Sequence, residues 1–131
     1  MNNNTIEIAS AIIRLNQDVY YSEEHCFWAW VISLKLASLP NCPKHQIIEF
    51  PKNIWICMGE TEQEAQSLHE LRKKAFQDIG ISDGDLVTVI YDSNGIVAIG
   101  RQRKSLWIHV TDEFKLKTLK ELNLSFEISF N

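Results

Sequence analysis

The sequence predicts an α+β domain: two N-terminal helices, then a mixed sheet of five or six strands with further helices packed on it. Three observations predict this. Apolar residues recur at helical spacing near the N-terminus, a capping signal opens a helix at Thr61, and short alternating runs separated by turn residues fill the second half.

The first helix is expected from about Thr5 to Tyr20. Asn4 offers an N-cap, with Glu7 three residues on as its reciprocal partner. Ile8, Ile12, Leu15 and Val19 then form one apolar stripe, with Glu7, Arg14 and Asp18 elsewhere. Ser22 to Leu39 reads two ways. As a strand, Trp28, Trp30, Ile32, Leu34 and Leu36 alternate. As a helix, Ser22 caps it, Glu23 and Glu24 suit the positive end of the dipole, and Pro40 stops it. The length and the start and stop signals favour a helix. The apolar run from Cys26 to Leu34 would make it the central buried one.

Asn41-Cys42-Pro43 is a turn. Gln46 to Phe50 reads as a short strand ended by Pro51, and Asn53 to Met58 as a second, β-branched and aromatic one. Thr61-Glu62-Gln63-Glu64 is a capping box. Ala65, Leu68, Leu71, Ala75 and Phe76 follow as an apolar face, Glu70 and Lys74 sit at ion-pair spacing, and Gly80 closes the helix. The run from Ile54 to Tyr91 fits a right-handed crossover between parallel strands. Strands at Leu86 to Tyr91, Ile96 to Arg101 and Leu106 to Val110 form an antiparallel meander, turned first at Asp92-Ser93-Asn94-Gly95. A short helix is expected from Asp112 to Leu122, with Leu116, Leu119 and Leu122 inward. Leu124, Phe126, Ile128 and Phe130 alternate in a last strand, whose pattern would suit a sheet edge open to another chain.

At 131 residues the chain has the size of a single domain and can bury a core without a disulfide or metal staple. A hydrophobic share of 45% with few Gly and Pro argues against disorder. No apolar run approaches membrane-span length, and Met1 to Asn4 carries no basic leader. Cys26, Cys42 and Cys57 are odd in number and widely spaced, which fits reduced thiols and a cytoplasmic location. The net charge of −4 disfavours a dedicated nucleic-acid binder. Its distribution is uneven: residues 1–70 carry nine acids and four bases, net −5, while residues 71–131 carry eight acids and nine bases, net +1.

Signals for chemistry are few. His25-Cys26 and Cys42-x-x-His45 resemble fragments of a zinc site, but adjacent ligands are awkward geometry, and Cys26 and Cys57 fall in apolar runs that would leave their thiols inert. Glu60, Glu62 and Glu64 sit where acids stabilise a helix N-terminus. Asp83 and Asp85 flank Gly84 without a calcium-loop pattern. No phosphate loop or hydrolase motif occurs, and no cofactor is expected.

The most distinctive local feature is Arg101-Gln102-Arg103-Lys104 followed by Trp107 and His109. If Leu106, Ile108 and Val110 point inward, Trp107 and His109 point outward beside a basic turn, which is how single-stranded nucleic acids are gripped. Lys115, Lys117 and Lys120 would extend that surface. Trp28, Trp30, Trp55 and Trp107 are many for this length, and an exposed one among Trp28 and Trp30 would mark a protein interface or a homodimer. The leading expectation is a small non-catalytic binding or regulatory protein acting through a protein partner. The alternatives are a nucleic-acid module built on residues 101–107 and a small enzyme with a Cys or His centre.

Overall fold

The computed structural model describes residues 6–38, 50–101, 104–111 and 113–122. The fold is β-rich. Among the described residues eight strands form one antiparallel sheet and there is a single α-helix. The strands are β1 (Glu7–Leu15), β2 (Tyr20–Ser22), β3 (Phe27–Ser38), β4 (Asn53–Gly59), β5 (Leu86–Asp92), β6 (Gly95–Gly100), β7 (Trp107–His109) and β8 (Leu116–Lys117), and the helix is α1 (Glu62–Asp78).

β3 organises the sheet. Ile32 pairs with Leu15 on one side and Ile54 on the other, and Ala29 pairs with Tyr20 and Cys57. β1 and β2 therefore follow one another along one edge of β3, with β4 along the opposite edge. β1 passes its other edge to β5, and β5 to β8 continue as a meander. α1 carries the chain from β4 back across β3 and β1. Since each successive pair is antiparallel, β4 and β5 run in opposite directions, and the expected parallel crossover is replaced by this longer return.

The two expected N-terminal helices are strands, which corrects the α+β architecture. The cause is the sheet environment of β1, buried on one face and only partly covered on the other. Ala9, Ala11 and Ile13 enter the core beneath α1, while Ile6 and Ile8 join a second cluster on the opposite face. A strand so covered is apolar at nearly every position, and such a run satisfies a helical template as readily as a strand. β3 was obscured by its 12 residues, long for a strand, and by Ser22, Glu23 and Glu24: Ser22 ends β2, and the two glutamates lie in the turn that follows, not at a helix start. Its alternation is real: Trp30, Ile32 and Leu34 all enter the helix-side core.

α1 is built as its local signals require. The Thr61 hydroxyl accepts from the Glu64 amide at 3.2 Å, and the Glu64 carboxylate accepts from the Glu60 amide at 3.0 Å, one residue beyond the usual capping-box reach. The helix ends in a Schellman motif. Ile81 N–H bonds the Phe76 carbonyl at 2.9 Å and Gly80 N–H bonds that of Gln77 at 3.0 Å, with Gly80 at φ 76. The buried face is Ala65, His69 and Phe76; Leu71, expected inward, is 61% exposed. The expected Glu70–Lys74 pair is replaced by Glu70–Lys73 at 2.8 Å and Lys74–Asp78 at 4.0 Å.

The Asp92–Gly95 hairpin is as expected, with Asn94 N–H bonded to the Asp92 carboxylate at 2.8 Å. Residues 113–122 hold no helix. Leu116–Lys117 pairs with β7, and Thr118 to Leu122 make one closed turn that buries Leu122 in the second cluster. The expected strands at Gln46 to Phe50 and Leu124 to Phe130 fall wholly or largely outside the described residues; Phe50 itself lies outside any strand and is buried against Tyr91. No helix among the described residues is long and apolar enough to cross a membrane.

Candidate binding cleft

Between β1 and β2 the chain leaves the sheet at Asn16 and returns at Tyr20. This short connection stands opposite α1, and an open cavity of about 600 Å³ lies between them. Gln17, Asp18 and Val19 form one wall, Glu62, Gln66, His69, Glu70 and Lys73 the other, and Trp28 of β3 lies at its side. The α1 residues are spaced by four, three, one and three, so one helix face supplies that wall. A neighbouring cavity of about 470 Å³ shares Gln17 and Lys73 and continues toward Phe76 and Ser82.

The connection is pinned. Trp30 Nε1–H donates to the Asn16 carbonyl at 2.7 Å, and the Asn16 side-chain amide donates to the Val31 carbonyl at 2.7 Å. Trp30 is fully buried against α1, with ring centroids 4.7 Å from His69 and 6.0 Å from Phe76. The cleft walls are thus tied through one tryptophan to the core.

His69 is the unusual member. It is 5% exposed, and its Nε2 is buried with no hydrogen-bond partner. Burial lowers its pKa first and the Lys73 charge second, while Glu70, the Asn16 carbonyl and Asp18 act in the opposite direction. The net effect favours the neutral ring. Lys73 is held by Glu70, whose own pKa is lowered chiefly by that hydrogen bond.

The residues singled out from the sequence are dispersed. Trp28 and Trp30, two apart on a strand, face the same way; Trp30 is fully buried, and half-buried Trp28 borders the cleft. Arg101 is engaged structurally, donating to the Gly80 carbonyl and lying 3.9 Å from Asp85. Lys104 is exposed, and Arg103 lies outside the described residues. Trp107, expected outward, is 1% exposed. It packs in the second cluster against the space left by Gly100, where a Cβ would meet its ring at 2.6 Å. Both faces of β7 are covered here, since Ile108 is buried in the helix-side core. His109 is half-buried, with its pKa lowered by burial and then by Lys117. Arg101 and Lys104 therefore do not share a surface with the buried Trp107 ring.

Cys26 is exposed in the β2–β3 turn at φ 59, not buried in a helix as expected, and His25 beside it meets the Ser22 hydroxyl at 3.0 Å. Cys42 and His45 lie outside the described residues. Among the described residues no group of three or more His, Cys, Asp or Glu side chains is placed to hold a metal ion.

The sequence reading missed two residues. His69 follows Ala65 by four and precedes Phe76 by seven, which places it on the buried stripe; attention to Leu68 and Leu71 hid it. Trp55, correctly placed on a strand, is the most exposed tryptophan at 53% and meets Tyr20 edge-on at 5.8 Å. Their partners Ala29 and Val31 alternate with Trp28 and Trp30, so this pair lies on the face away from α1. No family model matches the chain, and neither a curated protein nor a solved structure shows significant similarity to it.

Proposed function

We propose that this is a small cytoplasmic binding protein that acts through a protein partner, engaged at the cleft between the Asn16–Val19 connection and α1, and not through catalysis. The observation that carries the reading is the unpartnered Nε2 of His69 in the wall of that cleft. A buried polar atom without a hydrogen bond is destabilising by roughly 1–3 kcal/mol. Such a group calls for an explanation, and a ligand group that completes it is the one the adjoining cleft supplies. The pinned connection supports the same reading, because a preformed wall loses little freedom on binding. The odd, widely spaced cysteine set supports the cytoplasmic assignment.

The test is affinity capture with three forms of the protein: wild type, Gln66→Trp, which fills the cleft from an exposed helix position, and Trp55→Ser on the opposite face. The expected result is one stoichiometric protein held by wild type and Trp55→Ser and lost by Gln66→Trp. A partner retained by Gln66→Trp, capture of nucleic acid released by salt, or turnover abolished by a cleft substitution would each overturn the reading.

A further inference from the structure

The groups left open in the cleft share one chemical character. Asp18 and Glu62 are carboxylates with no ion pair among the described residues, and Glu70 keeps acceptor capacity beyond Lys73. His69 Nε2 is buried without a hydrogen-bond partner, and in the tautomer protonated at Nδ1 it is an acceptor. The single cation among the described lining residues, Lys73, is already held by Glu70 at 2.8 Å. With three carboxylates against one ammonium, these residues carry a net charge of −2. Trp28 adds a half-buried aromatic side chain at the side of the cleft. Acceptors, negative charge and an indole together suit one kind of group: a cation that is also a hydrogen-bond donor.

We infer that the partner inserts a basic side chain, an arginine guanidinium or a lysine ammonium, into this cleft. One N–H reaches His69 Nε2, the charge lies between the carboxylates of Asp18 and Glu62, and the alkyl stem or guanidinium plane packs on Trp28. The exposed rim residues Gln66 and Glu70 swing aside to admit it. The inference rests on the partner-binding reading above and narrows it to a basic segment. Acidic or phosphorylated partners are repelled by the lining, and a neutral hydroxylated ligand would satisfy His69 while leaving the carboxylates without a role.

The experiment is an NMR titration of the full chain with acetyl-Gly-Arg-Gly-amide, its lysine counterpart and the citrulline peptide, a neutral isostere of arginine. Imidazole nitrogen spectra report His69 Nε2 directly. The expected result is saturable binding of the two cationic peptides with an Nε2 shift, and at least tenfold weaker binding of the citrulline peptide. The Asp18→Asn/Glu62→Gln double variant, exposed and outside the core, should weaken arginine-peptide binding by about fivefold, the scale of two partly screened charge contacts. Equal binding of the citrulline peptide would overturn the inference in favour of a neutral ligand. An Nε2 resonance unmoved at saturation would overturn it in favour of bound water completing that nitrogen. If a protein is captured through the cleft while these peptides fail to bind, the basic side chain is refuted and the partner reading stands. If neither occurs, both fall.

Discussion

Replacing Gly100 with alanine tests how the second core is packed. Its built Cβ lies 2.6 Å from Cε3 and 2.7 Å from Cδ2 of Trp107, about 1 Å inside normal carbon contact. Trp107 is 1% exposed and bounded by Ile90, Ala98 and Leu122, so the ring has no free direction in which to yield. Overpacking of this kind is destabilising by roughly 2 kcal/mol, or about 8 °C in melting temperature for a domain of this size. Urea unfolding followed by far-ultraviolet circular dichroism measures it. Gly84→Ala serves as the contrast, because its φ of 89 imposes a backbone penalty while nothing lies within 4 Å of the new Cβ. In a Trp107→Leu background the Gly100→Ala penalty should shrink by about 1 kcal/mol or more, and the Gly84→Ala penalty should stay unchanged. A Gly100→Ala protein within about 0.5 kcal/mol of wild type, or no coupling to Trp107, would refute the packing. It would also free the ring to stack beside Lys104, the arrangement a nucleic-acid hairpin needs.

Two further outcomes are expected. Thr61→Ala should lower stability by about 1 kcal/mol, since it removes the acceptor for the Glu64 amide; an unchanged urea midpoint would show the cap to be dispensable. His69 should make folding pH-dependent. Its folded pKa lies below the ordinary 6.5, so the unfolded chain binds more protons between the two values. Its contribution is therefore complete above that ordinary value and is lost as the pH falls toward the folded pKa. Lys73 faces it and strengthens the effect, while Glu70 and Asp18 oppose it. His109 acts in the same direction, so His69→Gln should flatten the loss between pH 7.5 and 5.5 in part; an identical slope would mean that His69 is not buried.

The parts legible in the sequence are those whose causes lie within a few residues. Thr61 and Gly80 bracket α1 because capping and chain reversal are local backbone chemistry. Asp92 to Gly95 turns because an Asx bond and one glycine suffice. Strands β4 to β7 were legible because β-branched runs between turn residues leave little choice of element. The N-terminal third was not. Its Ile, Ala and Trp residues fit either period, and only pairing with β3 and β5 and burial of one face of β1 beneath α1 select the strand. The site followed the same division. The basic hairpin was visible as composition, but contacts from distant segments tie Arg101 to Gly80 and place Trp107 over Gly100. His69 could be located on a helix from the sequence alone. That its ring lies buried against Trp30, in the wall of a cleft shared with Asp18 and Trp28, depends on a connection about fifty residues earlier, held in place by Trp30. By itself the sequence determined the helix and turns whose hydrogen bonds close locally, and the strands set off by turn residues on either side. The tertiary structure decided every element and site whose burial is supplied by residues far along the chain, because burial is a property of both partners and is written in neither alone.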